Sequence, residues 1–175
     1  PKIAEVLLNL GNLYGMEGQI DSFILYQNRA QLIWKALYGK NHPLVALSYN
    51  NLANAYDQMG QSQEALDLFQ EALSIQQEVY GAVHPDVAAT HFNMGLTYAW
   101  QEDWGQAQAA FERSLTALQF QSDQSTSFDQ VNDPLLLLRV LQVAAEIPKR
   151  RFQTEQTVNH LEEAAQYLAK ADQLI

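Results

Sequence analysis

Four histidines, His42, His84, His91 and His160, are the side chains of this sequence best suited to metal binding or proton transfer. Cysteine is absent, so no thiolate can join them, and none stands in the HExxH spacing that sets two imidazoles on one helical face. His42 and His84 each precede a proline, a pairing that points to structure rather than chemistry. No glycine-rich loop suited to cradling phosphate occurs. Carboxylates are plentiful, but Glu64, Asp67, Glu71 and Glu78 are spaced to lie on the solvent face of a helix. The basic run Lys149-Arg150-Arg151 reads as a complement to a helix-end dipole. No catalytic constellation emerges, so the chain is not expected to be an enzyme and needs neither a cofactor nor a metal.

Asparagine is the more informative polar residue. Asn9, Asn51 and Asn93 recur at a constant step of 42, with Asn12, Asn50 and Asn54 nearby. A carboxamide both donates and accepts, so a row of them can satisfy the N–H and C=O groups of an extended peptide whatever its sequence. The same chemistry lets amides bond across neighbouring helices and brace them, and the sequence leaves both roles open.

Composition narrows the partners. Of 175 residues, 47% are hydrophobic, enough to bury a continuous core. Twenty acidic residues oppose ten basic ones, and the resulting charge of -10 is repelled by phosphate backbones and anionic lipid alike. Neither nucleic acid nor membrane is an expected partner. No apolar run approaches the roughly 20 residues needed to span a bilayer, and Pro1 to Glu5 do not resemble a signal peptide. A soluble, cytoplasmic setting is expected, although the lack of cysteine is indifferent to redox compartment.

The elements that position these residues follow from the 42-residue step. His42-Pro43 recurs as His84-Pro85, and Pro1 falls in the same phase. Ile3, Val45 and Val87 form a column, as do Ala4, Ala46 and Ala88, and Tyr14, Tyr56 and Tyr98. Each period reads as two helices. From Pro43 to about Met59 the residues Val45, Tyr49, Leu52, Ala53 and Tyr56 recur at helical steps, and Gly60 ends the run. From Ser62 to Tyr80 the stripe resumes with Ala65, Leu66, Phe69, Ala72 and Leu73, closed by Gly81. Proline at the first helical position loses no hydrogen bond and supplies a suitable φ.

Leu52-Ala53-x-x-Tyr56 with Ala65, Phe69 and Ala72, and Met94-Gly95-x-x-Tyr98 with Ala107, Phe111 and Ser114, resemble the small-and-large pattern of the tetratricopeptide repeat (TPR) family. The 42-residue step, the His-Pro opening and the Asn50-to-Ala53 stretch resemble its kinesin-light-chain variety. The resemblance implies an all-α, right-handed superhelical solenoid of antiparallel helix pairs, with repeats at 1–42, 43–84 and 85–120. The first repeat departs from the pattern. It carries Phe23 where the others have Ala65 and Ala107, and Gln27 where they have Phe69 and Phe111, so Gly11 is expected to make room.

After a polar loop at 121–133, Asp133-Pro134 is expected to open a divergent fourth repeat, 134–175, its first helix kinked or ended at Pro148 and its last running from about Thr157 to Leu174. Pro1 coincides with a repeat boundary, which suggests a segment of a longer chain.

By resemblance, the first helix of each repeat lines a concave groove, placing Asn9, Asn51 and Asn93 on its inner face with Asn12, Asn50 and Asn54 close by. Trp100 then either reaches the groove as a contact residue or covers the fourth repeat. Apart from Lys2 at the start of the first, these helices offer Glu5, Asp57 and Gln58 but no cation, so a strongly acidic ligand is disfavoured, as are the acidic cargo peptides of kinesin light chains. No heptad segment suited to a motor appears. The expected function is a scaffold holding an extended peptide or partner segment. The alternatives are self-assembly through terminal helices or the fourth repeat, giving a homo-oligomer, and a regulatory domain of an enzyme.

Overall fold

The computed structural model describes residues 1–118 together with Asp133, Leu136, Arg139 and Val140. The expected loop as far as residue 132, the closing helix with His160, and Lys149-Arg150-Arg151 lie outside the described residues. Asp133 itself behaves as expected of a cap, its Oδ1 accepting from the Leu136 N–H at 3.0 Å.

Six helices are described: α1 (Lys2–Met16), α2 (Ile20–Tyr38), α3 (Pro43–Gln58), α4 (Ser62–Tyr80), α5 (Pro85–Trp100) and α6 (Trp104–Ala117). No strand occurs among the described residues, and the fold class is all-α. One compact unit, Pro1–Ala82, holds α1 to α4, and a second, from Val83, holds α5 and α6. Within each unit, consecutive helices pack as antiparallel pairs: α1 with α2, α3 with α4, and α5 with α6. In the first unit α2 also packs on α3.

The His-Pro openings work through both residues. His42 is the N-cap of α3, and its Nδ1 accepts from the Leu44 N–H at 3.2 Å while its ring stacks on Tyr38 at 4.4 Å. His84 repeats the cap on α5, accepting from the Asp86 N–H at 3.1 Å. Each imidazole thus satisfies one of the N–H groups that a helix start leaves unpaired.

The turns are equally regular. Positive φ occurs at Gly18, Gly39, Gly60 and Gly81 and then at Glu102, every 21 residues. Glycine reaches this left-handed region without steric cost, whereas Glu102 holds it with a side chain (φ 59).

The core of the first unit centres on Ala4, Ala30, Trp34, Val45, Ala46 and Ile75. The alanines bring the backbones close and Trp34, 1% exposed, fills the space between them. Burying an aromatic or aliphatic side chain of this kind stabilises by about 1.5–3 kcal/mol. In the second unit Phe92 and Phe111 pack tilted at 5.8 Å, and the Ser114 hydroxyl donates to the Ala88 carbonyl at 2.8 Å. Glu64, Asp67, Glu71 and Glu78 all face solvent, Glu78 accepting from Asn41 Nδ2.

The first helix pair corrects one expectation. It is Gly15, not Gly11, that clears the Phe23 ring: a β-carbon on Gly15 would lie 3.0 Å from Phe23 Cδ2. Gly11 instead admits the body of α2, its nearest neighbours being Tyr26 Cβ at 3.2 Å and the Phe23 carbonyl at 3.5 Å. Helical side chains lean toward their own N-terminus. Because α2 runs antiparallel to α1, the Phe23 ring leans toward the C-terminal end of α1, where Gly15 lies.

Candidate functional site

An open cleft of about 240 Å³ lies within the first unit, among α1, α2 and α3. Four carboxamides line it, Asn12 from α1 and Asn51, Asn54 and Gln58 from α3. Steps of three and four residues bring the last three onto one stripe of α3. Phe23 and Ile20, from the first turn of α2, form its apolar part with Gly15 and Ala55. No charged side chain is among its lining residues. Asp57, next to Gln58 in sequence, accepts from the Ser62 hydroxyl at 3.2 Å.

One rim amide is fixed. Gln27 Nε2 donates to Asn12 Oδ1 at 3.2 Å. Gln27 is fully buried, and its Oε1 has no partner. Asn51, Asn54 and Gln58 make no side-chain hydrogen bond to the described residues. Their donors and acceptors face the cleft unspent, an arrangement that can bind both N–H and C=O groups.

Of the residues singled out from the sequence, Asn12, Asn51 and Asn54 therefore come together. Asn9, in the same column as Asn51, is exposed on α1 and does not line the cleft. Asn50 is half-buried and engaged elsewhere. Asn93 is half-buried on α5 of the second unit, and Trp100, the last residue of that helix, is 81% exposed. Gln58 was named from the sequence only as an uncharged residue of these helices and not counted among the amide contacts, although its distance of four residues from Asn54 and seven from Asn51 is the signal that would have placed it there.

In the second unit His91, on α5, is buried with Nδ1 unpartnered. Burial, and secondarily the Arg113 guanidinium, lower its pKa from 6.5 to about 4. It is a neutral core side chain. No group of three or more His, Asp or Glu among the described residues is placed to hold a metal ion. No helix among them is long and apolar enough to cross a membrane.

Helix pairs of this kind define a repeat scaffold. The tetratricopeptide repeat profile matches residues 2–78 and 58–119, so the chain belongs to the tetratricopeptide repeat family. Solved structures share its fold. BtubC (BKLC) from P. vanneervenii is 22% identical with a TM-score of 0.68, the match covering 95% of this chain and 64% of that one. The chain thus spans less than two thirds of that relative. MamA is 18% identical with a TM-score of 0.65, covering 97% of this chain and 81% of that one. Nearly identical TPR-like repeats of a candidate kinesin light chain from Podosopora anserina are 19% identical with a TM-score of 0.58, covering 97% and 88%. The likeness to these structures is one of fold. No curated protein matches the sequence. Tetratricopeptide proteins are in general non-catalytic scaffolds that bind protein partners.

Proposed function

We propose that this chain is a scaffold module that holds an extended peptide, or an extended segment of a partner protein, through the carboxamides of its first-unit cleft. The observation that carries the reading is the stripe Asn51–Asn54–Gln58, whose amides have no partner among the described residues and face an uncharged opening. Amides that braced the helices would be spent on one another. Asn9, Asn93 and Trp100 belong to the proposal as further contacts, each on its own unit, and Asn50 as a support. The ligand is not strongly acidic, since no cation lines the cleft. The proposal includes the organisation of residues 1–175 as one solenoid with a divergent repeat at 134–175.

A displayed library of random peptides supplies the probe. Each amide contributes about 0.5–1.5 kcal/mol, so changing Asn51 and Asn54 together to Ala weakens a selected peptide about tenfold or more. The thermal midpoint of the double variant stays close to that of the parent. Undiminished affinity in a folded double variant removes the cleft from the mechanism.

A second reading, self-assembly, has its own support. Ile3 is 70% and Val6 63% exposed on α1, whereas Val45 and Ser48, in the same columns of α3, are buried where α2 packs. A dimer in light scattering that dissociates on changing Ile3 and Val6 to Ser favours assembly, and a concentration-independent monomer favours the scaffold.

A further inference from the structure

We propose that the first-unit cleft takes a carboxamide side chain, glutamine or asparagine, from the bound peptide, and that Gln27 sets this preference by fixing the orientation of Asn12. The inference rests on the cleft being a peptide site and specifies what that site selects.

Gln27 is a departure that packing does not explain. Its column holds Phe69 and Phe111 in the other repeats, both buried rings. Here a carboxamide is fully buried, with Oε1 lacking any partner. Burying an amide half-satisfied opposes folding relative to an apolar residue of the same size. Its one bond runs to Asn12, from Nε2 to Oδ1 at 3.2 Å. Reversing both amides would place the Gln27 NH2 where Oε1 now lies without a partner, and buried orphan N–H groups are rarer in folded proteins than under-satisfied carbonyls. Asn12 is therefore held with its oxygen turned inward, and Nδ2 remains to donate to a ligand.

The opposite rim is not held in this way. Asn51, Asn54 and Gln58 can each turn an oxygen toward the ligand. The site thus combines one fixed donor with adjustable acceptors. A carboxamide side chain matches both: its carbonyl accepts from Asn12 Nδ2 and its NH2 donates across the cleft. A carboxylate would face the acceptors with no cation among the lining residues, and desolvating a charge costs far more than desolvating an amide. An ammonium group would meet the Asn12 N–H groups. An aliphatic side chain would cover the rim amides without satisfying them. Phe23, where the other repeats have Ala65 and Ala107, adds a planar apolar surface for a planar amide, and Gly15 gives its ring the space.

The test begins with peptides selected from a random displayed library, each then synthesised with its shared side chain intact and replaced by methionine. The expected result is a shared Gln or Asn whose replacement weakens binding about tenfold in calorimetry. In Asn12→Asp, which still accepts from Gln27 but offers no donor, that penalty falls below about twofold, as a double-mutant cycle would record for directly coupled groups. Gln27→Met weakens the glutamine peptide and leaves the methionine peptide unchanged, a distinction that a purely structural role would not produce. Selected peptides that share a charged or aliphatic residue instead, or a penalty unaltered in Asn12→Asp, overturn the inference. So does equal affinity of Gln27→Met and parent for the glutamine peptide, as regards Gln27. If the Asn51→Ala, Asn54→Ala variant loses these peptides while Asn12→Asp does not alter the penalty, the peptide site stands and the carboxamide preference falls. If the library yields no binder, both fall.

Discussion

Replacing Gly95 with Ala inserts a single carbon into the tightest contact that any glycine of the second unit makes. Its β-carbon would lie 2.5 Å from Phe111 Cε1, 2.7 Å from Cδ1 and 2.9 Å from Cζ, well inside van der Waals contact. The ring is 2% exposed and has little free space. In the preceding repeat Ala53 and Phe69 occupy the same two columns, so a β-carbon is tolerated where the ring sits differently. Phe111 is hindered from that retreat by Phe92, packed against it at 5.8 Å in a column where the preceding repeat has Asn50. Overpacking of this kind costs about 1–3 kcal/mol, and alanine recovers about 0.8–1.0 kcal/mol of helix propensity over glycine. The net expectation is a loss of up to about 2 kcal/mol, or up to about 1 M in urea midpoint. Gly105 serves as the control. Its β-carbon would meet nothing closer than Asp103 Oδ1 at 3.8 Å, so Gly105→Ala keeps only the propensity gain and raises the midpoint. Urea unfolding followed by circular dichroism measures both. A Gly95→Ala variant stabilised as much as Gly105→Ala would refute the packing argument.

Three further outcomes follow from the same geometry. The unfolded chain protonates His91 below 6.5 while the folded chain resists until about 4, so its stability contribution is complete above 6.5 and is lost as pH falls toward 4. That loss runs at about 1.4 kcal/mol per pH unit, and His91→Phe, compared with the parent in urea at pH 7 and pH 5, should be less destabilised by the acid step; an equal shift in both counts against it. His42→Ala loses the cap on Leu44 and the stack on Tyr38, lowering stability by about 1 kcal/mol, whereas His42→Asp keeps an acceptor and recovers most of it in thermal melting. Ala65 and Ala107 are fully buried at the helix crossings, so either one changed to Leu costs about 1–3 kcal/mol, and unchanged melting in both variants would contradict the crossing.

The helices of the second repeat were legible almost to the residue, because proline and glycine punctuate a period that several columns share. The expected end near Met59 and the span Ser62 to Tyr80 compare with Pro43–Gln58 and Ser62–Tyr80. The caps were less legible: histidine is not among the preferred N-cap residues, and only the built turn shows Nδ1 meeting an N–H. Column alignment also misled where side chains lean. It paired Phe23 with Gly11 by sequence offset, whereas the ring's tilt along an antiparallel helix carries it to Gly15. The cleft was partly legible. Asn12, Asn51 and Asn54 were singled out for their chemistry and do converge, but Asn9 was grouped with them by repeat position alone. Neighbours from α2 decide which members of a column share a cleft, and α1 has no such helix on its Ile3–Val6 side among the described residues.

The 21-residue spacing of the left-handed turns makes the period an even number of strides, each one helix followed by one reversal of direction. A length change of one stride would deliver the chain to its next helix travelling the wrong way, so that a residue such as Asn93 would ride on a second helix instead of a first. A change of two strides restores the heading. Insertions in this chain are thus constrained by parity before they are constrained by sequence, and Glu102, standing at the fifth of these reversals, shows that the position is held by the count of residues even where glycine has been lost.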